Sequence, residues 1–220
     1  MKPKTKNMVL YFIASIFIIT LSLIIFLHIQ QKLYFSLLWV CYISLALISI
    51  GIITKNSNLI LSQIVILLIP DLLWIIDFII LLITGNAPLG IAKYFFTGER
   101  ALLSNIVSLQ HIFTIPLAIF SLYLIKIKKG HKFILIASVE MLILFILGFL
   151  IPIEYAVNCL PASIVCTSII FPKFIPYPIT WLLLVFSFII ISYFIMTTFP
   201  SVRKIRKKNQ RVPALHVNRY

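Results

Sequence analysis

Six apolar stretches fill most of this chain, each near the ~20 residues that a helix needs to cross a ~30 Å hydrocarbon core. They run approximately Met8–Leu27, Leu33–Ile53, Leu59–Thr84, Leu103–Ile125, Phe133–Ile153 and Ile179–Phe199. The runs are continuously apolar and lack the in–out alternation of an outer-membrane barrel strand, so they read as helices. The pattern predicts an all-α polytopic membrane bundle. One such bundle uses residues 1–200, and a basic tail covers 201–220.

Charge supplies the orientation. The nineteen Lys and Arg residues fall in short blocks between the apolar runs. With the N-terminus inside, the inner segments hold Lys2, Lys4, Lys6, Lys55, Lys126, Lys128, Lys129, Lys132 and the seven basic residues of the tail. Only Lys32, Lys93, Arg100 and Lys173 fall on the other side. Cytoplasmic loops carry such an excess of Lys and Arg, so the expectation is six spans with both termini in the cytoplasm. The same placement excludes nucleic acid as the partner of a chain with net charge +14. Its basic residues are topology signals, and the tail from Ser201 suits anionic lipid headgroups. Membrane lipids are the expected partners.

The first apolar run follows Lys2, Lys4 and Lys6, as a signal peptide would. It is full span length and no small-x-small cleavage site follows, so it reads as an uncleaved helix. Three cysteines are too few for a disulfide framework. No CxxC, HExxH or His-rich tract appears, so neither a metal nor another cofactor is expected. Cys159 and Cys166 fall in the last external loop, as either a disulfide or two ordinary thiols.

Chemistry in such a chain is sought among ionisable groups placed where lipid should be, because burying a charge at mid-bilayer costs at least a few kcal/mol. Of five acidic residues, Asp71, Asp77 and Glu140 lie inside apolar runs, and His111 joins them. Counting from the outer ends at ~1.5 Å per residue puts Asp77 and His111 roughly 10–12 Å deep. Asp71 and Glu140 fall near mid-membrane by the same count. Two polar layers are therefore expected, Asp77 with His111 above and Asp71 with Glu140 below. The upper pair reads either as a carboxylate orienting an imidazole base or as a hydrogen bond tying two helices together. In the lower pair, two carboxyls at one depth would share a proton, in a proton-handling or a structural role. Cys41 falls level with the upper pair, which brings in a Cys–His–Asp set suited to acyl transfer or ester hydrolysis. The competing reading makes Cys41 a small hydrophobe. Trp74, three residues from each Asp, reads first as core.

Three motifs carry a resemblance. P-D-L-L-W-I-I-D-F at Pro70–Phe78, S-L-Q-H-I-F-T-I-P at Ser108–Pro116 and E-Y-A-V-N-C at Glu154–Cys159 are similar to those of a family of bacterial six-span integral membrane proteins to which no activity is attached. Tyr155 and Ala156 depart from that family's third motif. The match covers Pro70 to Asn158 and implies membership without naming a reaction. Androgen-induced-type fatty-ester hydrolases are similar in six-helix architecture alone. Together these readings place a polar pocket at the outer face, built from Trp74, Asp77 and His111, with Asp71 and Glu140 deeper and Glu154 and Asn158 capping it. Such a pocket would bind or carry a small polar or lipid-headgroup ligand. The alternatives are a membrane-embedded hydrolase or acyltransferase with His111 as base, and a structural or partner-binding protein.

Overall fold

The computed structural model describes residues 2–96, 102–127, 131–151 and 177–198. They form seven α-helices and two short 3-10 turns, with no strand among the described residues. The helices are α1 (Pro3–Gln30), α2 (Val40–Ile53), α3 (Ser57–Thr84), α4 (Leu102–Ser108), α5 (Gln110–Ile125), α6 (Lys132–Leu150) and α7 (Tyr177–Thr198). Five helical segments are long and apolar enough to cross a membrane, with the short α4 continuing into α5 as one of them.

The helix faces carry the same message. Leu10, Ile13, Phe17 and Ile24 of α1 are buried, while Met8, Phe12 and Ile19 of the same helix are exposed. Ile83 is 78% exposed and Leu150 75%. A helix apolar on its inner and outer faces alike suits lipid as its solvent. Several hydroxyl groups are satisfied within their own helices, as suits that solvent: Ser49, Thr114 and Ser121 each donate to the carbonyl one turn earlier, at 2.7–2.8 Å.

α3 is the centre of the bundle, packed by α2, α5, α6 and α7, while α1 lies against α2 and α5. Every residue from Ile60 to Leu67 is buried. Beyond Pro70 the burial narrows to one stripe, Asp71, Trp74, Asp77, Phe78 and Leu81, at the three-and-four spacing of a single helix face. Asn56 starts α3 by accepting from the backbone N–H groups of Asn58 and Leu59, and Gly85 ends it in the left-handed conformation that glycine adopts freely. At 28 residues α3 is ~42 Å long, well beyond a ~30 Å hydrocarbon core.

The second apolar run is not one helix. After α1 the chain turns at Lys32 (φ 57), makes a 3-10 turn over Tyr34–Leu38 and passes through Trp39 in extended backbone. Only the 14 residues Val40–Ile53 are α-helical, ~21 Å of rise. Neither Pro nor Gly marks this break, and hydropathy does not register backbone angles. The fourth run is likewise divided at Leu109, whose N–H bonds three residues back to Ile106. α1 begins at Pro3, before the expected edge at Met8.

Candidate functional site

Asp71 and His111 meet. The His111 Nδ1 lies 2.8 Å from Asp71 Oδ1, joining α3 to α5. Asp71 is buried, whereas the His111 side chain keeps 17% of its surface exposed. With Asp71 ionised its carboxylate can only accept, which puts a ring proton on Nδ1. Nε2 has no hydrogen-bond partner among the described residues. It is left as an acceptor when the ring is neutral and as a second donor when it is protonated. Trp74 lies against the imidazole with centroids 4.9 Å apart, and stacks on Phe78 at the same spacing on its own helix. The ring is thus held from two sides, by a carboxylate at its edge and an indole on its face. Among the described residues Asp71 Oδ2 is buried and unpartnered, and so is Oε1 of Gln110, the residue preceding His111.

This overturns the expected layering. Asp77 does not pair with His111; its carboxylate accepts from the backbone N–H groups of Leu89 and Ala92, each at 2.8 Å. Glu140 does not pair with Asp71; its Oε2 accepts from Gln63 Nε2. Gln63 and Asp71 are eight residues apart on α3, ~12 Å of rise, and Asp71 and Asp77 are ~9 Å apart. The depth count failed because it assumed that every span ends at the same level. α3 is longer than the membrane is thick, and the segment after it folds back beside its last turns, so residues counted down from Thr84 lie higher than those counted down from Leu103.

The fold-back is built by polar contacts. Besides the two amides on Asp77, Trp74 Nε1 donates to the Tyr94 hydroxyl at 3.1 Å and Asn105 Nδ2 donates to the Phe95 carbonyl at 2.8 Å. Trp74, Phe78, Leu81 and Ala92 form a second apolar cluster, with Phe95 packing edge-on to Phe78. Asp77 is therefore an anchor for the segment above the His111 ring. Trp74 is both core and a wall of the site.

Comparison with protein-family models, curated proteins and solved structures finds no match to this chain. Its own geometry is the ground for a functional reading.

Cys41 of α2 packs against the main core and lies within electrostatic reach of Asp71, but it makes no hydrogen bond with His111. Glu154, Asn158, Cys159 and Cys166 lie outside the described residues, as does the basic tail. No group of three or more His, Cys, Asp or Glu suited to a metal occurs among the described residues. Gln63, Tyr94 and Gln110 were not anticipated. Gln63 had a signal, being an amide inside the run L-I-L-S-Q-I-V-I; Tyr94 lies in a connecting segment and had none.

Proposed function

We propose that this chain is a six-span protein of the bacterial cytoplasmic membrane, with both termini cytoplasmic, that binds a small polar or lipid-headgroup ligand at His111. The five long helices and the placement of basic residues support the span count, with α2 and the turn before it making the short second crossing. In this topology the tail rests on anionic headgroups. The family resemblance over Pro70–Asn158 belongs to the same proposal.

One observation carries the binding reading: the Asp71–His111 contact at 2.8 Å, with the ring braced by Trp74 and Nε2 without a partner among the described residues. A hydrogen bond made only to tie two helices together needs neither a braced ring nor a partly exposed one. Fixed in this way, Nε2 accepts from a hydroxyl or amine of the ligand, or, as imidazolium, donates to a phosphate or carboxylate oxygen.

The test is native mass spectrometry with lipid analysis of the protein purified in nanodiscs, comparing wild type with His111→Ala and Asp71→Asn. The expected result is a species retained by wild type and lost from both variants. Identical bound species in all three would leave the pair a structural hydrogen bond and end the proposal. A second reading, a hydrolase or acyltransferase with His111 as base, draws on Cys41 sharing the surroundings of Asp71. Under that reading Cys41→Ala alters the chemical identity of the bound species; under the binding reading it does not.

A further inference from the structure

The Glu140–Gln63 contact lies about two turns of α3 away from the His111 site, and its unmatched atoms carry an inference independent of that site. Gln63 is fully buried at the start of α3, and Glu140 projects from α6. The orientation of the amide is fixed by its neighbours. Ser62 Oγ donates to the Leu59 carbonyl at 2.7 Å, which commits its only hydrogen. The Gln63 atom 3.1 Å from that oxygen must therefore be a donor, which places Nε2 there. The second hydrogen on Nε2 goes to Glu140 Oε2 at 2.6 Å. With both amide hydrogens used, one oxygen on each partner remains: among the described residues Gln63 Oε1 and Glu140 Oε1 are both buried and both without a partner.

Two unmatched acceptors on a carboxyl and a carboxamide that already share one hydrogen bond are complementary in a specific way. A single proton on Glu140 Oε1 supplies the donor that Gln63 Oε1 lacks, closing the two-bond ring that acids form with primary amides. The alternative is a carboxylate buried between helices with one oxygen bare and no cation beside it. Among the described residues no Lys, Arg or His forms an ion pair with Glu140. α3 and α7 pack on α6, and their titratable groups are otherwise engaged. Asp71 is on His111, Asp77 holds the backbone of Leu89 and Ala92, and the Tyr193 hydroxyl lies 3.5 Å from His131. On α6 itself Lys132 is exposed at the first turn, about two turns from Glu140.

We propose that Glu140 and Gln63 form a proton-binding site, in which Glu140 is a neutral carboxylic acid whose O–H donates to Gln63 Oε1 and joins α6 to α3. Releasing the proton to solvent leaves a carboxylate, breaks that bond and keeps the bond from Nε2. The α3–α6 contact therefore tightens when the proton is bound and loosens when it leaves.

Infrared spectroscopy of the full chain in nanodiscs reads this directly, because a protonated carboxyl has its own C=O stretch, which shifts in D2O. Wild type at neutral pH is expected to show such a band and to lose it reversibly at high pH. Glu140→Gln removes the band while keeping both hydrogen bonds, since its amide donates to Gln63 Oε1 without a proton. Gln63→Leu moves the band to higher frequency, the sign of a carboxyl that has lost its partner. Asp71→Asn leaves it in place. Absence of the band in wild type overturns the proposal without recourse to any variant. So does a band that survives Glu140→Gln or is lost in Asp71→Asn.

Discussion

Replacing Asp77 by asparagine keeps the shape of the side chain but reverses the polarity of one of its two terminal atoms. The carboxylate accepts Leu89 N–H at one oxygen and Ala92 N–H at the other, both at 2.8 Å, with Asp77 fully buried. An asparagine satisfies one of these amides with its Oδ1 and points its own N–H2 at the other. One charge-assisted bond, worth roughly 1.5–3 kcal/mol, becomes a donor facing a donor, and the surviving bond drops to neutral strength. The expected loss is about 3 kcal/mol, felt by the segment after α3 more than by the bundle, since that segment rests on Asp77, Trp74 and Asn105. At ~1.4 kcal/mol per tenfold, the opening equilibrium of this segment rises roughly a hundredfold. Hydrogen–deuterium exchange at Leu89 and Ala92 measures it amide by amide. Asp77→Asn should accelerate both, while the amides of Ile60–Leu67 on α3 stay protected. Wild-type exchange at Leu89 and Ala92 would refute the anchoring role and return Asp77 to the list of groups free for a ligand.

Two further outcomes follow from the packing and the topology. Gly51→Ala should lower the melting temperature, because the new Cβ would stand 2.7 Å from Cγ1 of the fully buried Ile60 and 3.3 Å from its backbone nitrogen. An overpacked site of this kind costs about 1–3 kcal/mol, and an unchanged thermal unfolding curve in detergent would contradict the close α2–α3 approach. In a cysteine-free background, a cysteine at Asn86 should react with a membrane-impermeant maleimide in intact cells, and one at Lys128 only after permeabilisation. The reverse pattern would invert the topology.

The helices were legible because lipid makes their signal nearly independent of tertiary contacts: length, continuous apolarity and the placement of lysine are properties of each segment alone. What hydropathy could not supply was backbone geometry. Leu33–Ile53 reads as one run, yet the chain bends at Lys32 and again at Trp39, in residues that are themselves apolar or flanked by apolar side chains. The identities of the ionisable groups were legible as well: Asp71, Asp77, His111 and Glu140 each make a specific polar contact. Their pairing was not, because depth was measured from segment ends. Asp77 was sent to His111 by an arithmetic that treated a 28-residue helix as ending flush with its neighbours. The backbone amides it binds are invisible in any residue-type analysis, since every residue but proline carries one.

Each acidic group within the helices is met by a different kind of partner, and the difference separates structure from function. Asp77 has both oxygens engaged by backbone N–H groups and is fully buried, a closed arrangement that holds the chain. Glu140 is half filled by an amide on a neighbouring helix, and one proton completes it. Asp71 holds an imidazole whose far nitrogen has no partner among the described residues, so this contact alone carries polarity on to a second atom. A buried carboxylate that served only to join α3 and α5 would be as well matched by a serine or a glutamine, as Glu140 is by Gln63. Choosing histidine, bracing it with Trp74 and leaving part of its side chain exposed costs the bundle a packed apolar residue at that position. That cost is the physical argument behind the ligand site proposed at His111. The ~12 Å of α3 between Gln63 and Asp71 then keeps the proton on Glu140 out of direct reach of the imidazole.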